Sequence, residues 1–191
     1  LNFKKMVAID TETMGLNLNR DRLCLVQVCF GDDIAHLLQL SKQPEEKPKN
    51  LIKLLQNKNI TKIFHFGRFD LAMLNKNISS VVGPIYCTKI ASKLARTSSD
   101  QHGLKHLVKE FVGVDIPKIE QTSDWGKENF SESQLKYAAS DVIYLHQIRE
   151  KLDKILVREN RNELAKQFFD FLPVIASLDI NGWSPEQIWS H

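Results

Sequence analysis

Apolar and polar positions follow two different rhythms along this chain. Short runs rich in Val, Ile, Leu and Phe come first: residues 4–10 (KKMVAID), 22–30 (RLCLVQVCF) and 33–38 (DIAHLL) read as strands. Gly31 and Asp32, between the second and third, predict a tight antiparallel hairpin. The polar, Pro-containing loop SKQPEEKPKN leads into a short amphipathic helix, NLIKLLQN. TKIFHF reads as another strand, followed at once by the helical pattern RFDLAML. From there the period lengthens, and residues 87–96 and 103–112 carry apolar positions three and four apart, as helices do. Gly113, Pro117 and the polar run to Asn129 predict a long non-helical excursion anchored by Trp125. Ser131-x-x-Gln134 is a capping-box signature opening a helix through about residue 155. A further helix covers residues 159–170, and Ser184-Pro185-Glu186-Gln187 opens a last short one.

Strands near the start, then helices alternating with a strand, predict a mixed-sheet α/β architecture in a single domain over residues 1–191. The composition, 42% hydrophobic and 26% charged, excludes a disordered or fibrous chain. No apolar run approaches the roughly 18 residues a bilayer span needs, and the N-terminus has no signal-peptide pattern. Leu1 stands where an initiator Met is expected, so a native start upstream is anticipated. Cys24, Cys29 and Cys87 are odd in number and form no CxxC pair; free buried thiols in a reducing cytoplasm are the expectation. A net charge of +3 permits a polyanionic substrate without requiring one.

The chemistry lies in the acids. The run VAIDTE ends a buried strand in two carboxylates, an expensive arrangement unless a cation shares the site. Residues two apart on a strand share a face, so Asp10 and Glu12 aim into one volume while Thr11 points away. Asp70 lies about one turn into the helix that follows TKIFHF, and Tyr137 and Asp141, four apart, share a face of the capping-box helix. Each has a plain structural reading: a frayed strand end, a first-turn acid favoured by the helix dipole, and a Tyr–Asp pair joining helices. Together, four carboxylates at strand exit, helix start and mid-helix make a cage for two Mg²⁺ or Mn²⁺ ions, hard cations that prefer oxygen. Two such ions about 3.5–4 Å apart can activate water and stabilise the leaving oxygen of a displacement at phosphorus.

Asp10-Thr11-Glu12, Asp70 in HFGRFD and Tyr137-x-x-x-Asp141 resemble the three exonuclease motifs of the DEDD superfamily, and the Tyr places them in its DEDDy branch with ribonuclease D. RLCLVQV, SDW and QLKYAASDV extend that resemblance through most of the chain. ITKIFHFGRFDLA, CTKIASKLAR, HGLK and FLP…NGW are more similar still to the compact nanoRNase C group. The resemblance implies an RNase H-like fold, a mixed sheet flanked by helices, and 3′-to-5′ hydrolysis yielding 5′-mononucleotides. It implies metal ligation by Asp10, Glu12, Asp70 and Asp141, with Tyr137 orienting the attacking water. An ordinary Tyr pKa near 10 makes metal a better source of hydroxide than the phenol.

Two departures from ribonuclease D shape the expected substrate. The chain ends soon after the catalytic region, without C-terminal helical nucleic-acid-binding domains, and Gly126-Lys127-Glu128-Asn129 follows SDW where that family has Arg-Pro. Both weigh against long, structured RNA, and the nanoRNase C resemblance implies short single-stranded RNA, above all dinucleotides, with DNA as the other polymer to test. The nanoRNase C resemblance also implies a homo-oligomer, an octameric ring. The alternatives are an exonuclease trimming longer 3′ ends, or a silent RNA-binding module on the same fold.

Substrate contacts are expected nearby, at Thr11, Met14, Leu16, His65 and Lys105. Leu16 and Met14 either wedge against bases or pack on the hairpin. His65 either meets a phosphate or ribose hydroxyl or is a satisfied core histidine. Lys89, Lys93, Arg96 and Lys105 form a basic stretch of which one or two members hold a 5′ phosphate, the others being a solvated face. His102 and His106 have the spacing of a zinc pair, but HGLKH lacks the Glu of HExxH and a further ligand. Trp125, Trp183 and Trp189 are read as structural, with Trp189 docking on a neighbouring subunit.

Overall fold

The structure, a computed structural model, describes residues 5–42, 46–116, 120 and 122–190. Strands β1 (Met6–Thr13), β2 (Leu23–Cys29), β3 (Ala35–Gln39), β4 (Thr61–Phe64) and β5 (Ile85–Cys87) form one sheet in the order β3-β2-β1-β4-β5. The first three are antiparallel neighbours; β1–β4 and β4–β5 run parallel. Parallel pairs need crossovers, and helices α1 (Lys49–Leu55) and α2 (Arg68–Asn77) supply them. Five more helices complete the described residues: α3 (Thr88–Ala95), α4 (Leu104–Phe111), α5 (Glu132–Ile143), α6 (Leu145–Arg158) and α7 (Asn162–Ile180), with a short α8 (Pro185–Trp189) after them. Among the described residues, no helix is long and apolar enough to cross a membrane.

β2 is buried along its whole length, as its near-continuous apolar sequence predicts. The core joins Val7, Ala8 and Ile9 of β1 and Phe64 of β4 to Leu71–Leu74 of α2 and to Leu145, Ile148 and Leu152 of α6. Burial of these side chains, at ~25 cal/mol per Å² of apolar surface, is what holds the sheet between its helices.

Several expectations shift. β1 continues past the expected end at Asp10 to Thr13, so Glu12 as well as Asp10 lies within the strand. The hairpin is wider than a two-residue turn: β3 starts at Ala35, and the loop turns on Gly31 (φ 81°) and Asp33 (φ 60°), with Ile34 N–H donating to Asp32 Oδ1 at 3.3 Å. The two aspartates there, Asp32 and Asp33, favour an Asx turn over a tight hairpin.

The helix from Ser131 breaks at Tyr144, because its two halves serve different partners. α5 packs across β1, β2 and β3, whereas α6 packs on α3 and α4. The 159–170 helix runs from 162 to 180, continuing through Pro173 because Ala165, Phe169, Leu172 and Ala176 keep one buried stripe. β5, three residues after Gly83-Pro84, has too short an apolar run to be seen as a strand. The capping box is present, with Ser131 Oγ accepting from Gln134 N–H at 3.1 Å and Gln134 Oε1 accepting from Ser131 N–H at 3.0 Å. Of the excursion after Gly113, residues 117–119 and 121 lie outside the described residues.

Candidate active site

β4 pairs with β1 only along Met6, Val7 and Ala8, so the β1 edge from Asp10 onward is open to the first turn of α2. Asp70 enters through that gap. Thr11, on the strand face opposite Asp10 and Glu12, donates its hydroxyl to Asp70 Oδ1 at 2.5 Å. On the other face, Asp10 lies opposite Gln27 of β2, and Gln27 Nε2 donates to Asp10 Oδ2 at 3.3 Å and to Glu12 Oε1 at 3.5 Å. Asp141 arrives from α5. One carboxylate oxygen each from Asp10, Glu12 and Asp141 lie within 4.8 Å of one another. All four acids and Tyr137 line a single cavity of about 810 Å³.

Three oxygens at that separation, with Asp70 alongside, form the donor set a hard divalent cation takes. The electrostatics agree. Burial first, then the charges of Asp70, Asp141 and Glu12, raise Asp10 well above the ordinary carboxylate range. Burial, then Asp141 and Asp70, push Glu12 up to about 9. Burial also lifts Asp70 and Asp141 to about 7 each, against hydrogen bonds from Thr11 and Tyr137 that favour the charged forms. Crowded, desolvated carboxylates resist ionising together; a bound cation reverses that preference.

Tyr137 is a donor here rather than a base. Burial, then the charges of Asp141, Glu12 and Asp10, raise its phenol above its ordinary value, and its hydroxyl bonds to Asp141. Trp125, buried under the sheet-facing side of α5, has its ring centroid 6.2 Å from that of Tyr137 and 5.4 Å from that of Phe130. Gln134 fixes this wall by donating to Ser123 Oγ at 2.9 Å and Asp124 O at 3.1 Å. SDW is thus the backing of Tyr137, as the anchoring expectation for Trp125 required.

The profile of the 3′-5′ exonuclease family matches residues 1–157. Brucella melitensis NrnC, solved with bound Mg²⁺, is 49% identical, with a TM-score of 0.90 over 98% of this chain and 90% of that one. NrnC bound to pGG is 50% identical, with a TM-score of 0.92 over 98% of this chain and 90% of that one. The chain belongs to the 3′-5′ exonuclease family. Within it, ribonuclease D of Acidiphilium cryptum is 33% identical over 155 residues, 81% of this chain and 39% of that protein. The chain therefore spans about two fifths of the length of such ribonuclease D relatives, and nearly all of NrnC.

The rim of this cavity holds most of the residues from which substrate contacts were expected. Leu16 is 82% exposed and Met14 56%, and both line the cavity, so neither is consumed by packing on the hairpin. Lys105 and His106 line it too, at the first turn of α4, whose N-cap Gly103 offers no side-chain cap. Lys89 lines it with Nζ 4.1 Å above the ring of Phe66.

His65 lines the cavity and is held from one ring nitrogen by Thr88. Thr88 Oγ1 spends its hydrogen on Phe64 O at 3.2 Å, so His65 Nδ1–H donates to Thr88 Oγ1 at 2.8 Å, leaving Nε2 as an acceptor. Burial and then Lys89 lower His65 to about 3, which keeps the ring neutral.

Other basic residues are engaged elsewhere. Arg96 holds Gln101 O at 2.7 Å, Ser92 Oγ at 3.1 Å and the Glu110 carboxylate, and so ties α3 to α4 rather than reaching the cavity. His102 Nδ1 is 2.9 Å from Ser92 Oγ. Among the described residues, Asp10, Glu12 and Asp141 form the one group with metal-ligating geometry; Asp70 lines the same cavity outside that group, and neither His102 nor His106 belongs to it. All three cysteines are free and buried.

Gln27 and Phe66 are among the lining or contacting residues that escaped the sequence reading. Gln27 left a signal, a lone amide in an otherwise apolar strand. Phe66, half exposed with φ 64°, left none, since an aromatic after a strand reads as core.

Proposed function

We propose that this chain hydrolyses short oligoribonucleotides from the 3′ end, dinucleotides above all, releasing 5′-mononucleotides. The observation that carries the proposal is the convergence of Asp10, Glu12, Asp70, Asp141 and Tyr137 on one cavity in a chain of the 3′-5′ exonuclease family. Asp10, Glu12, Asp70 and Asp141 would hold two Mg²⁺ or Mn²⁺ ions, which supply an activated water and charge stabilisation at the scissile phosphate. Tyr137, held neutral beside Asp141 and backed by Trp125, orients that water through its hydroxyl. Leu16 and Met14 provide apolar contacts for bases, as sequence-tolerant binders of single strands do. His65 accepts from a ribose hydroxyl, a group that DNA lacks at the 2′ position. Lys105 takes the 5′ phosphate at the start of α4, where backbone dipoles favour an anion.

The preference for dinucleotides is supported by likeness to NrnC, which was solved with pGG. A homo-oligomer, ring-shaped as in the resemblance, is supported by the outer face of α7. Leu164, Phe168, Phe171 and Val174 are exposed there in one stripe, with Trp183, Ile188 and Trp189 exposed just beyond. The three buried free thiols suit a cytoplasmic setting.

The test is cleavage of 5′-labelled RNAs from dinucleotide to decanucleotide, with Mg²⁺, Mn²⁺ or EDTA. A rate maximum at the dinucleotide supports the proposal. A rate that rises with length transfers the chain to the longer 3′ ends of ribonuclease D substrates, and binding without product in either metal makes it a silent module.

A further inference from the structure

Gln27 is an anomaly in its strand. It sits mid-β2, wholly buried among Leu25, Val26 and Val28, where an apolar side chain is the ordinary occupant. Its amide oxygen is buried with no hydrogen-bond partner among the described residues. A buried, unpaired carbonyl is a net cost that a Met or Leu at the same place would remove. Among the described residues, the side chain's hydrogen bonds are the two that Nε2 donates, one to Asp10 and one to Glu12. As fold architecture it costs stability; its bonds all go to the acids.

We propose that Gln27 is the positioning residue of the metal site, a neutral clamp that sets the separation and orientation of Asp10 and Glu12. The inference rests on the divalent-cation reading of those acids. An amide suits the position for three reasons. Its two N–H groups are enough to reach both carboxylates at once. Being neutral, it quiets their repulsion without competing with a cation, as an Arg or Lys there would. And β2 is rigid: it is paired on both edges, to β1 through Asp10↔Gln27 and to β3 through Gln27↔Leu37. The clamp therefore transmits the geometry of the sheet to the ligands. Partners that orient metal ligands typically change affinity by about 10–100-fold when removed.

The experiment titrates the metal-free protein with Mn²⁺, following free Mn²⁺ by electron paramagnetic resonance, for the unmodified chain and for Gln27→Met and Gln27→Asn. Gln27→Met keeps the volume and removes both donors; Gln27→Asn keeps an amide too short to span both acids. The expected result is Mn²⁺ affinity lower by about 10–100-fold in Gln27→Met, and by less in Gln27→Asn, with far-ultraviolet circular dichroism unchanged. Cleavage lost at low Mg²⁺ then returns as Mg²⁺ is raised, which a merely structural defect would not do. Unaltered Mn²⁺ affinity in either folded variant overturns the clamp, and so does failure of both variants to fold, which would make Gln27 a packing residue. If the unmodified chain itself binds no Mn²⁺, the divalent-cation reading fails rather than the clamp alone.

Discussion

Thr11 and Asp70, 59 positions apart in sequence, share a 2.5 Å hydrogen bond at the open edge of β1. The bond ties Asp70 to β1 through Thr11, while Asp70 shares one cavity with Asp10, Glu12 and Asp141. Removing the donor frees Asp70 to swing and leaves a buried carboxylate short of a partner. Thr11→Val is expected to lower kcat by about 10–100-fold with little change in KM, and Thr11→Ser to restore it, because only the hydroxyl matters. Steady-state kinetics of the two variants on a dinucleotide decides this; equal loss in both would assign Thr11 to packing.

The acids are also in conflict with the fold that carries them. Glu12→Gln or Asp141→Asn removes one member of a crowded, desolvated set and leaves the shape unchanged. Turnover should disappear, and the metal-free protein should melt higher by about 2–4 °C, the shift ~1 kcal/mol produces in a chain of this size. Calorimetry in EDTA beside an activity assay in Mg²⁺ reads both. A lower melting temperature would show that the charges support the fold.

The same conflict sets a pH dependence. Asp70 and Asp141 titrate near 7 and Glu12 near 9 in the folded chain, all above the range of unfolded carboxylates. The folded state therefore holds protons more tightly than the unfolded one. Its stability is fully present below about pH 4 for these groups and falls as pH rises through 7 and towards 9. The melting temperature in EDTA should fall across that window, and saturating Mg²⁺ should flatten the decline. Parallel declines with and without Mg²⁺ would place the cation elsewhere.

These relationships mark how far the sequence could be read. Asp10, Glu12, Asp70, Tyr137 and Asp141 were legible because strand and helix periodicities fix which side chains share a face, and each acid interrupts an apolar pattern. Thr11 was assigned to the opposite face correctly, yet its partner there was invisible, since Asp70 reaches it only because β4 stops pairing at Ala8. Gln27 needed the register of β2 on β1. The break at Tyr144 and the run of α7 through Pro173 depend on which neighbours each helix covers, and no local periodicity encodes that. β5 is three residues long, and strand status there comes from pairing with β4 rather than from its own residues.

The Thr88–His65 pair makes a prediction about the sugar. Thr88 fixes the tautomer in which His65 Nε2 accepts, so a substrate hydroxyl can donate to it. Cleavage of a dinucleotide should be faster than that of its 2′-deoxy counterpart. Thr88→Val should shrink that ratio by about 3–10-fold, the worth of one hydrogen bond, and His65→Leu should do the same. Competition between ribo and deoxy dinucleotides in one reaction measures the ratio directly. If Thr88→Val leaves it untouched, His65 does not read the sugar.

The outer stripe of α7 is apolar where a solvated helix should be polar. Phe168, 47% exposed, and Phe171, 39% exposed, sit on that stripe, while the buried face of the same helix consists of Ala165, Phe169, Leu172 and Ala176. Changing both to Glu should leave the fold intact and break assembly, because charges facing each other across an apolar contact oppose association. Light scattering coupled to size-exclusion chromatography should report an oligomer for the unmodified chain and a monomer for Phe168→Glu/Phe171→Glu, with unchanged circular dichroism. An oligomer that survives the double change would move the interface away from α7. A monomeric unmodified chain would remove assembly from the account while leaving the metal site as described.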